Sequence, residues 1–435
     1  MHSSCRPTVG DRPTSRSDPA MGRIAVVAGP DPGHALPALG LAAALRAAGH
    51  HVQVHSGDGH DATAAAHGLE VRRLPLLAPT RDDVDVGHRL WERAGQMAPP
   101  LATDLRRFGP DVVVVDVLTR AGGFAAQLLD RPWVELVPHH LPDPAPDLPP
   151  VGLGRPLART PWRRADDRRL YRLQSRSVAL GRAHAARIAG ELGLEAPRAP
   201  VLRLVATLPG LERARALWPR DAHVVGPLAI DPALPELALP QGDEPLVLVT
   251  DSTASDVHRS VATVALDALR HLDLRLVVTS SSLAARADGR LVVGRGPHGP
   301  ILDRSAVAVG PGGAGLVAKA TARGVPLVVV PLQGDQREAA ARLRDAGVGR
   351  VVPPRRLTPR ALRGAGGRQV ADAGARRAAR ALAAEAALLG PSLAVQLVEA
   401  VLAGERPRAD GPNEHLPAPP RTGVGRHASA GRTGL

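Results

Sequence analysis

The chain has 435 residues, a hydrophobic content of 44% and a formal net charge of +13. This length is sufficient for two domains of ordinary size, and the charge favours anionic partners. The one cysteine, Cys5, excludes a disulfide framework and a cysteine metal site, and no apolar run is long enough to predict a transmembrane helix.

Short apolar, β-branched runs alternate along the chain with longer Ala/Leu/Arg stretches that favour helices. The first series of predicted strands is IAVVAG (24–29), HVQVHSG (51–57), DVVVVD (111–116), WVELVP (133–138) and RLVATL (203–208). The second series is LVLVTD (246–251), LRLVVTS (274–280), LVVG (291–294), AVAVG (306–310), VPLVVVP (325–331) and GRVV (349–352). Near-continuous apolar strands separated by helices indicate parallel sheets with helices on both faces.

The two series therefore predict an α/β protein with two doubly wound, Rossmann-like domains that face each other across a cleft. We expect the domains at 22–218 and 246–390, joined by a proline-rich linker at 219–245. A last apolar helix is predicted at 391–404. Two terminal segments are predicted to be disordered: the polar leader 1–20, which lacks the apolar centre of a signal peptide, and the Pro/Gly/Arg-rich tail 405–435.

Ligands of doubly wound sheets bind at the carboxyl ends of the strands. His34, in GPDPGHALP, follows the first strand and precedes a helix, where an imidazole can act as a general base. Asp116 ends another buried strand, where a carboxylate requires a partner, and a histidine is the natural one. The alternatives are a surface histidine near a helix start and an aspartate that caps the next helix.

A glycine cluster, VGPGGAGLVAKA, lies between a predicted strand and a helix. Gly312, Gly313 and Gly315 allow backbone N–H groups to approach an anion, and the helix N-terminus adds partial positive charge. Lys319 lies too far into the helix to act as a phosphate-binding lysine of a P-loop. A tight strand-to-helix turn without a ligand is the alternative interpretation.

Two further strand ends carry polar residues. Asp335 opens a helix, and Glu338 three residues later forms the pattern of a capping box, while Gln336 falls in the first turn and can face the cleft. Ser252 and Thr253 follow another strand and can donate to a phosphate or cap the next helix.

Two charged stretches need separate interpretation. Asp83 and Asp85 spell a metal-binding DxD, but they lie in a charged segment away from a strand end, so we interpret them as solvated surface and predict no metal site. Residues 155–187 contain ten arginines and two aspartates, which indicates an exposed helix or, alternatively, a patch that contacts a membrane surface. With only Trp162 and Tyr171 available for base stacking there, nucleic-acid binding is not expected.

Taken in order, these motifs resemble the GT-B glycosyltransferases, specifically the nucleotide-sugar-dependent family of bacterial macrolide and antibiotic enzymes and UDP-glycosyltransferases. The similarity covers roughly 22–404. The stretches that carry it are GPDPGHALPALGLAAALRAAGHHV, PDVVVVDVLTRAGGFAAQLL, HVVGP and, most specifically, GPGGAGLVAKATARGVPLVVVPLQGDQREAAARL (310–343).

The resemblance implies an inverting glycosyltransferase that needs no metal or cofactor and uses a nucleoside-diphosphate sugar as co-substrate. It implies a hexose donor with uridine or thymidine diphosphate, and a small lipophilic or polyketide-like acceptor hydroxyl. His34 would deprotonate the acceptor, supported by Asp116, while Asp335 and Gln336 would hold sugar hydroxyls. The remaining donor-site residues implied are Ser252, Thr253, Arg295, His298, Gly312, Gly313 and Gly315. A cytoplasmic protein is expected, with the last helix crossing back to the first domain.

Three positions depart from the family pattern. Pro311 stands where the family usually has a phosphate-contacting histidine, and Leu316 where it has threonine or serine. In GRGPHGP, Arg295 replaces a base-stacking tryptophan. The loss of these two hydrogen-bond donors favours weaker binding of the nucleotide sugar. Arg295 can offset this loss by stacking on the base or by contacting a phosphate. A catalytically silent GT-B protein that binds a ligand or a partner is therefore an alternative, and a nucleotide-sugar epimerase is a third.

Overall fold

The computed structural model describes residues 21–74, 86–228, 230–251 and 260–417. The leader 1–20, the DxD aspartates Asp83 and Asp85, and the predicted donor-site residues Ser252 and Thr253 lie outside these described residues, as does 418–435.

The amino-terminal half forms a seven-stranded sheet in which every pair of neighbouring strands is parallel. Its strands are β1 (Arg23–Val27), β2 (His51–Ser56), β3 (Val71–Arg73), β4 (Val112–Asp116), β5 (Trp133–Val137), β6 (Leu202–Val205) and β7 (Ala222–Val224). They are ordered β3-β2-β1-β4-β5-β6-β7. The order reverses between β1 and β4, which is the point where doubly wound sheets bind ligands.

Helices cover both faces of this sheet. They are α1 (Pro32–Ala47), α2 (Asp61–Ala66), α3 (Val86–Phe108), α4 (Ala121–Leu128) and α5 (Pro161–Glu191). One core cluster packs α1 against one face, and α3, α4 and α5 form a second cluster on the other face. Because both faces are buried, β4 and β5 are completely apolar apart from Asp116 and Glu135.

The carboxy-terminal half repeats this architecture with a second seven-stranded sheet. Its strands are β8 (Leu246–Thr250), β9 (Arg275–Thr279), β10 (Arg286–Asp288), β11 (Leu291–Gly294), β12 (Ser305–Gly310), β13 (Leu327–Val329) and β14 (Gly349–Val351). They are ordered β10-β11-β9-β8-β12-β13-β14, and only the edge strand β10 is antiparallel to its neighbour. The two parallel-sheet domains confirm the predicted α/β fold class.

The helices of the second half are α6 (Val261–Leu269), α7 (His298–Leu302), α8 (Ala314–Ala322), α9 (Gln336–Asp345), α10 (Pro359–Ala371), α11 (Ala373–Leu388) and α12 (Pro391–Leu402). Helix α12 packs on α1 of the first domain, with Val398 and Val401 in that domain's core. Short 3-10 turns lie at Pro209–Leu211 and Pro354–Arg356.

Two predicted boundaries differ from the structure. The predicted linker 219–245 contains β7, which extends the first sheet by one strand, so the segment that leaves this domain begins after Val224. The predicted disordered tail is described as far as residue 417. Within it, Ala409 is 1% exposed and its N–H donates to the carbonyl of Arg220 at 2.7 Å. Backbone pairing and local apolar burial thus hold a segment whose composition alone favours disorder.

The segment Ala373–Leu402 is long and apolar enough to cross a membrane by length and composition. The segment is not one continuous helix, however, because Gly390 adopts a φ of 111° between α11 and α12 and interrupts it. The N–H of Gly390 donates to the carbonyl of Val225 at 2.5 Å, which ties this break to the first domain. Helix α11 buries Ala379 and Leu382 in the core of the second domain, and α12 buries Val398 in the core of the first.

The arginine-rich stretch forms the 31-residue helix α5, as the first of the two interpretations, an exposed helix, predicted. Its side chains include three large, exposed apolar residues, Trp162, Leu173 and Leu180. Contact of this helix with a membrane surface stays a prediction.

Candidate active site

The first element of the site is the turn from β1 into α1, which holds His34. Asp31 is the N-cap of α1, and its side chain accepts a hydrogen bond from the N–H of Gly33 at 2.7 Å. Pro32 at the first helical position fixes the backbone in a helical φ. These local preferences place His34 in the first turn of the helix, at the carboxyl edge of the sheet.

His34 meets Asp116 at this edge because β1 and β4 are adjacent parallel strands, with Val27 paired to Val115. Nδ1 of His34 lies 2.6 Å from Oδ1 of Asp116. The carboxylate is fully buried, and the imidazole side chain is 15% exposed. The predicted pair therefore exists, and neither side chain has the alternative role that its sequence position allowed.

The second carboxylate oxygen of Asp116 is held separately. Oδ2 accepts hydrogen bonds from the N–H of Leu118 at 3.1 Å and from Oγ1 of Thr119 at 3.2 Å. These bonds fix the plane of the carboxylate, so Oδ1 is directed at the imidazole. Nε2 of His34 has no hydrogen-bond partner among the described residues, and it is the atom left to accept a proton.

Electrostatics favour the protonated form of His34. Burial opposes the positive charge, but the charge of Asp116 and its hydrogen bond outweigh burial, and the pKa of His34 is raised above 6.5. Asp31 and Asp335 contribute in the same direction. Since Asp335 belongs to the second domain, the imidazole is under the influence of both halves of the molecule.

A cavity between the two domains adjoins this pair. From the first domain it is lined by His139 and His140, which follow β5, and from the second by Ala314, Asp335 and Arg342. The ring of His139 meets that of His34 edge-on, at 6.1 Å between centroids. Burial lowers the pKa of His139 and that of His140, which favours the neutral form of both rings, whereas the neighbouring His34 has a raised pKa. Sequence reasoning did not find these two histidines, although they directly follow a predicted strand.

Helix α8 begins at the glycine cluster on the opposite side of the cleft. Its N-cap is Gly313, and no side chain caps the N–H groups of its first turn in the described part of the chain. A Cβ added at Gly313 or at Gly315 would meet nothing within 4 Å, so open space lies above this helix end. Uncapped N–H groups at a helix N-terminus facing open space form an anion-binding geometry.

Gly312 has a different role. Its φ is 82°, and a Cβ there would lie 2.4 Å from Cγ1 of Val329. This position therefore requires glycine for the turn itself. Pro311 and Leu316 are both buried, and Leu316 belongs to the core of the second domain. At these two departures from the family pattern the chain has apolar packing instead of side-chain donors.

Asp335 and Gln336 begin α9 near the same cavity. Asp335 is the N-cap residue by position, but its side chain makes no cap hydrogen bond. The predicted capping box is thus wrong, because Glu338 is engaged elsewhere, with Arg213 and Arg342. Oε1 of Gln336 accepts from the N–H groups of Leu332 and Gln333, which rigidifies the loop that precedes α9.

The other two predicted donor-site residues in the described part of the chain, Arg295 and His298, do not line this cavity. Arg295 is exposed in the turn between β11 and α7. Nε2 of His298 lies 2.9 Å from Oγ1 of Thr279, and burial lowers the pKa of His298 to about 4. The backbone N–H of His298 donates to Asp231, which also accepts from the buried Lys319 at 2.6 Å. His298 is therefore held neutral within a structural network.

Comparison with known proteins finds similar sequences and folds. Residues 263–399 match the model of the erythromycin biosynthesis protein CIII-like C-terminal domain. The chain is 28% identical over 386 residues to 4'-demethylrebeccamycin synthase of Lentzea aerocolonigenes, covering 78% of this chain and 90% of that protein.

Two solved structures share the fold. The glycotransferase of kitacinnamycin has a TM-score of 0.69 and 22% identity, over 88% of this chain and 99% of its own. The glycosyltransferase SsfS6 of Streptomyces sp. SF2575, complexed with thymidine diphosphate, has a TM-score of 0.61 and 24% identity, over 87% and 99%.

The fold and these relatives define the class of the protein: it is a glycosyltransferase with the GT-B fold. Within that class, the matches support the macrolide and antibiotic glycosyltransferase family.

Proposed function

We propose that the chain is an inverting glycosyltransferase that moves a hexose from a nucleoside-diphosphate sugar to a hydroxyl of a small lipophilic or polyketide-like acceptor. The observation that carries the proposal is the arrangement across the cleft. The His34–Asp116 pair lies at the sheet edge of one domain, and the uncapped N-terminus of α8 begins at the facing side of the other.

The proton transfer follows from the contacts of His34. With Nδ1–H donating to Asp116, the lone pair of Nε2 takes the proton of the acceptor hydroxyl. The carboxylate holds this tautomer and stabilises the imidazolium that forms. The acceptor oxygen attacks the anomeric carbon, and the bond from that carbon to the diphosphate oxygen breaks. Attack from the face opposite the leaving group inverts the configuration.

The leaving diphosphate is stabilised at α8. Negative charge develops on the phosphate oxygen as the glycosidic bond breaks, and the first-turn N–H groups with the helix dipole offset that charge. This interaction supplies the electrostatic role that a metal ion has in other transferases, so we propose a metal-independent reaction. Support for a nucleoside diphosphate in this fold comes from the thymidine diphosphate bound by SsfS6.

Asp335 is proposed to bind hydroxyls of the donor sugar. Its carboxylate lines the cavity, does not cap its own helix, and lies near enough to His34 to influence its charge. Gln336 keeps the preceding loop in place. The first domain contributes apolar lining through Pro138, Leu208 and Leu211, which suits a lipophilic acceptor.

A two-part experiment tests the proposal. Thermal unfolding is first measured with a panel of thymidine- and uridine-diphosphate sugars, where saturation at about 100 times Kd adds about 2.7 kcal/mol of stability. Turnover is then measured for the wild type and His34→Ala with an extract of small hydroxylated acceptors, and the anomeric configuration of the product is read by NMR.

We expect donor binding in both proteins, turnover only in the wild type, and inverted configuration. Exposed His51 on β2 provides the control variant, His51→Ala, with normal turnover. Full turnover in His34→Ala, or a product that retains configuration, would show that the mechanism is different.

A further inference from the structure

A second cluster of titratable side chains lies at the far edge of the first sheet, away from the cleft. It comprises His223 on β7 and two residues of the C-terminal segment, Glu414 and His415. Nδ1 of His223 lies 3.1 Å from Nε2 of His415 and 3.1 Å from Oε1 of Glu414, and the last two atoms are 3.3 Å apart. Three ligand-type atoms thus form a nearly equilateral triangle.

The dimensions of this triangle fit a metal ion. Zinc binds nitrogen and carboxylate oxygen at about 2.0–2.2 Å, which separates two ligands of a tetrahedral site by about 3.3–3.6 Å. Small movements of the partly exposed side chains of Glu414 and His415 bring all three edges into that range. Two imidazoles and one carboxylate, with the fourth position left to water, are a donor set that zinc prefers.

Protons alone do not satisfy the cluster. His223 is 1% exposed, and its Nε2 atom has no hydrogen-bond partner among the described residues. If the ring proton of His223 is on Nε2, its Nδ1 is an acceptor that shares with the carboxylate of Glu414 the one N–H that Nε2 of His415 can carry. If the ring proton is on Nδ1, Nε2 is a buried acceptor without a donor. A cation bound by the three lone pairs satisfies all three facing atoms at once.

The carboxylate is also oriented by a neighbour. Oε2 of Glu414 accepts a hydrogen bond from the backbone N–H of Asp410 at 2.6 Å, so Oε1 is directed at the two imidazoles. Such outer contacts orient metal ligands and tune their affinity. The same segment is anchored to the chain before β7 by the bond from Ala409 to Arg220.

From this geometry we propose that His223, Glu414 and His415 bind a zinc ion that fastens the segment 405–417 to β7. The ligands come from positions 192 residues apart, so they converge only in the folded chain. The ion therefore stabilises the native state, and it holds the segment beside β7, the edge strand of the first sheet.

The test uses the full-length chain without a histidine tag. Zinc content after dialysis is measured by mass spectrometry, Tm is measured against zinc concentration, and the absorption of bound Co²⁺ is recorded as a probe of tetrahedral geometry. We expect one zinc ion for each chain, a Tm that rises with zinc but not with Mg²⁺, and a tetrahedral Co²⁺ spectrum. Zinc should also slow proteolysis within 405–417.

The variants separate the site from incidental binding. His415→Ala and Glu414→Gln alter partly exposed ligands, and each should lower zinc affinity by more than about 100-fold, since loss of a partner beyond the ligands already costs 10–100-fold. His67→Ala, at an exposed histidine after α2, should bind zinc normally. Circular dichroism confirms folding of each variant. A wild type that retains no zinc, or variants that bind it as well as the wild type, would overturn the proposal.

Discussion

Arg342 of the second domain and Glu212 of the first form an ion pair of 2.7 Å in which the side chains are 3% and 0% exposed. Arg213 extends the contact between the domains by donating to Glu338 and Asp345 of α9. These charges are buried at the interface that also holds the proposed active-site cleft. The relative placement of His34 and α8 thus depends on a network whose members cannot lose a partner without cost.

We therefore predict that Arg342→Met destabilises the protein by about 3–5 kcal/mol, because it removes the cation paired with the buried carboxylate of Glu212 and leaves buried Glu338 with Arg213 alone. Urea unfolding measures the change. Arg344→Met is the matched control, since Arg344 is 42% exposed and, among the described residues, pairs only with Asp345 at the surface. Equal stability of Arg342→Met and the control would show that the network has no such role.

The pH dependence of turnover should report on Asp116. His34 acts as a base only when neutral, so activity should rise as the pH rises through its raised pKa, above 6.5. Asp116→Asn removes the charge that raises this pKa while burial still lowers it, so the acid limb of kcat/KM should move to lower pH. Turnover should fall by about 10²–10⁴-fold, because the imidazolium loses its partner. An unshifted acid limb in the variant would contradict the assigned pair.

Two adjacent glycines should respond differently to substitution. Gly313→Val places a side chain in the open space above α8 at an ordinary φ of −63°, so it should weaken nucleotide-sugar binding with little loss of stability. Gly312→Ala forces a Cβ against Val329 at a positive φ, and it should lower the free energy of unfolding by about 1–3 kcal/mol. Calorimetric titration and urea unfolding of both variants separate the two effects. Normal donor binding by Gly313→Val would place the diphosphate elsewhere.

The loss of folding stability at acid pH should come in part from His55. Burial lowers the pKa of this side chain to about 4, compared with 6.5 unfolded, so the unfolded state binds the proton more readily. The contribution of His55 is present above pH 6.5 and is lost as the pH falls toward 4, by about 1.4 kcal/mol for each pH unit. His34, whose pKa is raised, has the opposite sign. Urea unfolding between about pH 7 and 5 should show a smaller slope for His55→Gln than for His67→Gln, an exposed control. Identical slopes would count against a neutral, buried His55.

Much of the fold was predictable because its signals are local. Strands buried on both faces, such as β4 and β8, appear as continuous apolar runs, and every predicted strand is present. The missed strands β3, β7 and β10 have only three residues each and lie at or near sheet edges, where no apolar run is required. The proline-rich composition around β7 concealed it within the predicted linker.

The sequence by itself determined the residue types at the strand ends: a histidine in the first turn of α1, an aspartate ending β4 and glycines before α8. Only the tertiary structure decided which of them meet. Pairing of β1 with β4 brings His34 to Asp116. Glu338, by contrast, forms ion pairs with Arg213 and Arg342 instead of the capping interaction that its sequence position indicated. Helix and strand signals act over a few residues. Ion pairs and ligand clusters join residues that are far apart in the sequence, such as His223 and His415, and no local pattern links such residues.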